Sequence, residues 1–104
     1  MSVTDQPFDG DPAKAARNLR VHGYTFADGY RVLVQEPALL MTWLDARHDD
    51  DEDRWNTLGS LPGSRDIVLH VTWTERDDRL RLISVRNATP AERRRHAHRY
   101  HRPR

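Results

Sequence analysis

Apolar residues recur at helical spacing up to Glu36, alternate as in strands from Leu39 to Val85, and thin out in a polar stretch after Pro90. Asp11 caps a first helix with Pro12 at its opening position, and the helix runs to Gly23. Ala15, Ala16 and Leu19 make a narrow stripe on it, suited to close packing on a sheet. Thr25 caps a second helix, in which Phe26, Tyr30, Leu33 and Val34 recur at i, i+4, i+7 and i+8 until Glu36-Pro37 ends it. Gly29 inside it costs about 1 kcal/mol relative to alanine.

Strands follow. Leu39 to Leu44 reads as the first and Arg54 to Gly59 as the second, with a turn at Pro62-Gly63-Ser64. Ile67 to Trp73 is the strongest, showing Ile67, Leu69, Val71 and Trp73 on one face and Val68, His70 and Thr72 on the other. Arg76-Asp77-Asp78 turns the chain into a fourth strand from Leu80. Thr89-Pro90-Ala91-Glu92 is a capping box that opens a last helix. That helix is polar nearly all round, with Ala91, Ala97 and Tyr100 as its contacts, so loose attachment is expected. The fold class predicted is α+β: two N-terminal helices, a four-stranded antiparallel sheet and a C-terminal helix. Residues 1–7 are expected to be a disordered lead-in, residues 8–100 a single domain anchored from Phe8, and residues 101–104 a frayed tail.

Composition narrows the function classes. The chain of 104 residues is 37% hydrophobic and 32% charged, polar enough that a partner is expected to cover part of it. It has no cysteine, which excludes disulfides, thiolate metal sites and a cysteine nucleophile, and it has neither a signal pattern nor a membrane-length apolar run. A cytoplasmic protein is expected. The net charge of +1 conceals polarity along the chain, since six acids fall within Asp45 to Asp53 and ten arginines between Arg76 and Arg104. The acidic stretch reads as a loop, either solvated or folded over the arginine-rich end. Metal motifs fail. A calcium loop begun at Asp49, Asp51 and Asp53 meets Arg54 where glycine is needed and Ser60 where glutamate is needed, and His96, His98 and His101 cannot share one helical face. No cofactor or metal is expected.

The candidate chemistry lies in arginines. Arg81 and Arg86 interrupt the fourth strand, and a guanidinium fork matches phosphate oxygens. Their odd separation puts them on opposite faces of an ideal strand, so a shared cleft requires Arg86 to sit past the strand end. Solvated or salt-bridged surface arginines are the competing reading. Trp43, Trp55 and Trp73 suit core packing better than base stacking, and His70 suits a satisfied sheet histidine.

Taken together, Asp11-Pro12-x-Lys14, Asn18-x-x-x-His22-Gly23, Thr25-Phe26, Asp53-Arg54, Gly59 and Arg81-x-Ile83-Ser84-x-Arg86-x-Ala88-Thr89-x-x-Glu92-Arg93 resemble BrnT toxins of type II toxin-antitoxin systems, over about Phe8 to Tyr100. The resemblance implies a RelE-like fold, a ribonuclease that halts translation, and neutralisation by a BrnA-like antitoxin with a ribbon-helix-helix domain. It implies a hetero-oligomer that meets operator DNA through the antitoxin and no membrane. Where the family commonly has Lys-His-Gly, this chain has Val21-His22-Gly23, with Arg20 the nearest basic residue.

RNA can be cut without metal when its own 2′-hydroxyl attacks the adjacent phosphate, provided that protons move and phosphorane charge is balanced. On that scheme the catalytic candidates are His22 as acid or base, Arg81 and Arg86 on the phosphate, and Arg54 on a neighbouring phosphate, with Arg20, Arg93 and Arg94 binding RNA. A helix-end role for His22, bonding free carbonyls, competes with this. Two other functions remain open: a decayed toxin that binds antitoxin as a co-repressor, and a non-catalytic RNA-binding module.

Overall fold

The computed structural model describes residues 6–46 and 52–100. These form a strand β1 (Asp9–Gly10), helices α1 (Pro12–His22) and α2 (Phe26–Leu33), a short 3-10 turn at Pro37–Leu39, strands β2 (Met41–Leu44), β3 (Trp55–Leu61), β4 (Ser64–Arg76) and β5 (Arg79–Asn87), and helix α3 (Pro90–Tyr100). The class is α+β, as expected, but the sheet has five strands in the order β1-β5-β4-β3-β2. It is mixed, because β1 runs parallel to β5 through Asp9 opposite Arg81 and Gly10 opposite Leu82. Two residues carry no period, so this strand has no signature in the sequence. Arg79 locks it in place, its Nε donating to Asp9 at 2.8 Å and its Nη2 to the Gln6 carbonyl at 2.6 Å.

The caps are where the sequence puts them. Asp11 accepts from the Lys14 amide at 2.9 Å, Gly23 closes α1 in the left-handed region at φ 80°, and Thr25 and Asp28 form a reciprocal capping box. The buried stripe of α1 differs from the one expected. Leu19 is 50% exposed and Ala16 is exposed, while Asn18 is buried. Its amide serves the sheet edge, with Nδ2 donating to the Val85 carbonyl at 2.8 Å and Oδ1 accepting from the Val85 amide at 2.9 Å. A polar side chain thereby stands in for a neighbouring strand beyond the end of β1.

One face of the sheet holds the main core, in which Phe26 and Val32 of α2 meet Leu69, Val71, Leu82 and Val85. Phe8 joins it, stacked on Tyr30 with ring centroids 5.2 Å apart. Helix α2 stops at Leu33, short of Glu36, which leaves Val34 exposed. On the opposite face Leu58, Val68 and Ala88 form a smaller cluster beside Met41 and Trp43. Strand β4 carries the expected division, His70 and Val68 falling on the side away from Leu69 and Val71. Trp55 and Trp73 stack at 6.2 Å, and the Trp73 indole donates to the Thr57 hydroxyl at 2.9 Å. Residues 1–5, 47–51 and 101–104, which include most of the expected lead-in, the centre of the acidic loop and the tail, lie outside the described residues.

Gly29 has a packing reason. A Cβ there would lie 2.5 Å from Val85 Cγ2, in a wall of short side chains that includes Leu82 and Val71. Gly29→Ala is therefore expected to destabilise the fold by about 1–2 kcal/mol, overpacking outweighing the roughly 1 kcal/mol gain in helix propensity. Urea denaturation of the two proteins measures this, and a stabilised variant would refute the packing account.

Candidate functional site

The phase of β5 is set by an irregularity. Thr72 pairs with Ser84, but the next residue, Trp73, pairs with Leu82, so Ile83 is a bulged residue with no partner position on β4. The extra residue shifts the alternation by one. Leu82 and Val85, three apart, therefore both face the main core, and Arg81 and Arg86, five apart, both occupy positions on the opposite face. The odd separation that seemed to part them is cancelled within the strand, without Arg86 leaving it.

Register completes that face. Arg81 lies opposite Thr74, Ser84 opposite Thr72, and Arg86 opposite His70, with Asn56 beyond Thr72 and Leu58 beyond His70. The Thr72 hydroxyl donates to Asn56 at 2.8 Å. Arg54 is half-buried and precedes the Trp55–Trp73 pair, which brings its backbone level with Thr74 and Arg81. Its carbonyl accepts from the Asp45 amide at 2.8 Å. Arg54 and Arg81 thus share one end of the face. Arg86 stands four positions further along β4, about 13 Å at the usual strand rise.

Arg86 leans onto α3. Its Nη1 and Nη2 donate to the two carboxylate oxygens of Glu92 at 2.8 and 3.1 Å, and Nη1 also reaches the Asn87 carbonyl at 3.0 Å. Glu92 accepts from the Thr89 amide at 2.8 Å as the returning half of the capping box, and its other oxygen lies 3.9 Å from His70 Nε2. The salt-bridged reading of Arg86 is the geometry found. The Trp43 ring meets the His70 imidazole edge-on at 5.7 Å, and the Arg95 guanidinium covers Trp43 at 5.0 Å. Helix α3 is therefore held by charged and polar groups. Among its described side chains the buried one is His96, 5% exposed with Nε2 3.4 Å from the Leu39 carbonyl, whereas the expected contacts Ala91 and Ala97 are exposed and the side chain of Tyr100 lies outside the described ones.

His22 lies at the end of α1, exposed, in a shallow cavity of about 290 Å³ that it shares with Lys14, Arg17, Val21, Ile83 and Ser84. Ser84 belongs both to this cavity and to the face between Arg81 and Arg86. Arg20, exposed on α1, is not part of the lining. Arg93 and Arg94 line a different and larger groove, of about 830 Å³, between α3 and the β3–β4 hairpin. Sequence reasoning missed Lys14, Arg17 and Ser84 as neighbours of His22, although Lys14 and Arg17 lie eight and five residues before it on one helix. It found Glu92 as a cap but not as the partner of Arg86.

A family model described as the ribonuclease toxin, BrnT, of type II toxin-antitoxin systems matches residues 11–92. The chain belongs to this family. No curated protein sequence matches it. The match covers every element from the cap of α1 to the first turn of α3, and so includes His22, Arg54, Arg81, Arg86 and Glu92. BrnT membership makes the chain a toxin of a type II pair, with ribonuclease as the family's activity and an antitoxin as the partner it implies. Among the described residues no group of three or more His, Asp or Glu side chains is arranged to hold a metal ion, and no helix is long and apolar enough to cross a membrane.

The hydrogen bond from Arg86 is the main cause that holds the Glu92 carboxyl at about 2, down from an ordinary 4.5, assisted by the Thr89 amide and opposed by partial burial. A depressed carboxyl stabilises the fold above its unfolded value and loses that contribution as pH falls. The native protein is thus expected to lose up to about 3 kcal/mol between pH 4.5 and pH 2 from this group. Glu92→Gln keeps a capping side chain but should flatten that part of the stability profile, as followed by urea midpoints against pH. An unchanged acid limb in the variant would assign the loss to other groups.

Proposed function

We propose that the chain is a metal-independent endoribonuclease of the cytoplasm that cuts RNA across the edge of β5, halts translation and is silenced by a BrnA-like ribbon-helix-helix antitoxin. The observation that carries this reading is the Ser84 junction: the cavity of His22 opens on β5 at a residue lying between Arg81 and Arg86 on the sheet face. In such a cleft the 2′-hydroxyl of RNA attacks the adjacent phosphate. His22 accepts or returns the proton, and Arg81 balances charge that grows on the phosphorane oxygens. Arg54, at the same end of the face, holds a neighbouring phosphate. Lys14 and Arg17 line the cavity beside Val21 and supply positive charge there although position 21 lacks a lysine. Arg86 acts mainly by fixing α3 through Glu92 and presents its remaining edge to RNA. Operator DNA is reached through the antitoxin.

One observation favours a second reading. Both Nη groups of Arg86 are engaged by Glu92 and Asn87, which suits a chain that keeps its antitoxin contact without cutting RNA.

The experiment that separates them incubates the purified chain with single-stranded RNA in the presence of EDTA. Cleavage is expected to continue and to leave 2′,3′-cyclic phosphate ends. Arg81→Ala should slow it by about 10²-fold or more, with the thermal unfolding midpoint unchanged. Absence of cleavage with intact antitoxin binding would establish the co-repressor reading instead.

A further inference from the structure

We infer that the groove between α3 and the β3–β4 hairpin is the seat of an acidic, amphipathic segment of the antitoxin. The inference rests on membership in a toxin-antitoxin family for the nature of the partner, and on the groove itself for the chemistry. The floor is aliphatic, with Leu39, Leu61 and Val68, and the rim carries Arg65, Arg93 and Arg94. Among the described residues no carboxylate lines it. An apolar floor under a cationic rim takes apolar side chains spaced along one face of a peptide helix, with carboxylates flanking them. Among the described residues the lining has no Phe, Tyr or Trp on which an RNA base would stack, which favours a peptide over RNA there. Its volume, about 830 Å³, has room for several such side chains.

The rim is partly set before any partner arrives. Arg93 Nη1 donates to the Asp66 carbonyl at 2.8 Å, tying the helix to the hairpin strand across the groove, and the imidazole of His96 is already buried against the 3-10 turn. A fixed guanidinium loses less freedom on pairing with a carboxylate than a free one.

The test uses the full chain and the product of the reading frame adjacent to its own, with affinity measured by calorimetry. Arg65→Glu reverses charge at the rim, and Ala97→Glu puts a carboxylate on an exposed groove position without disturbing helix propensity. Each is expected to weaken the complex at least about tenfold, with thermal midpoints unchanged and Arg65→Lys retaining most of the affinity. Hydrogen exchange in the complex should slow for residues 90–98. Wild-type binding that both variants leave intact, or protection confined to other segments, would overturn the inference while leaving the toxin-antitoxin reading in place. No binding of the neighbouring product to the wild-type chain would remove both. If Arg65→Glu instead loses affinity for single-stranded RNA and keeps the protein complex, the groove is an RNA surface and the inference fails.

Discussion

The carboxylate of Glu92 joins the terminal helix to the two strands beneath it. It closes the N-terminus of α3 on the Thr89 amide, receives both Nη groups of Arg86 from β5, and approaches His70 from β4. Among its described side chains helix α3 shows no apolar face that would bring it to the sheet by burial; this ion pair, His96, the bond from Arg93 to the Asp66 carbonyl and the stacking of Arg95 over Trp43 hold it there. Such contacts are directional. They fix the orientation of a helix well while adding less stability than a hydrophobic interface of equal area would.

A second constraint works on the other border of β5. A strand flanked only by the two residues of β1 would expose unpaired backbone groups along most of its length. Asn18 answers this by bonding both backbone groups of Val85 and the Tyr24 carbonyl from a buried position on α1. The bond pins α1 alongside the bulge at Ile83, and His22, one turn further along the helix, is thereby brought over Ser84. The bulge and the amide clip act together: one turns two arginines to the same face, and the other sets the histidine at the edge of that face.

Much of this was legible where the cause is local. The caps of α1, α2 and α3 follow from side chains three residues apart, and the division of β4 into two faces follows from strict alternation. The turn before β5 was also readable, since Asp77 and Asp78 adopt left-handed angles that aspartate tolerates. What stayed hidden depends on partners distant in sequence. Strand β1 is too short to have a pattern and exists because β5 offers it a ladder seventy residues later. Asn18 and His96 look like surface residues until the backbone carbonyls they meet are in place. The bulge moves Arg86 by one phase, and neither Ile83 nor its neighbours carry a residue type that announces it. For the site, the strand pattern pointed to Arg81 and Arg86 and the resemblance brought in His22 and Arg54, while the role of Arg86 as a tether to Glu92 required coordinates.

The two concavities share no lining residue, yet each is lined by an element that carries one partner of the Arg86–Glu92 pair. The smaller one opens at Ser84, two residues from Arg86, and the larger one is walled by α3, whose first turn carries Glu92. Between them stands a single bidentate ion pair. Arginine suits that position where lysine would not, because a guanidinium can meet both carboxylate oxygens and a backbone carbonyl at once, whereas an ammonium meets them as a point charge.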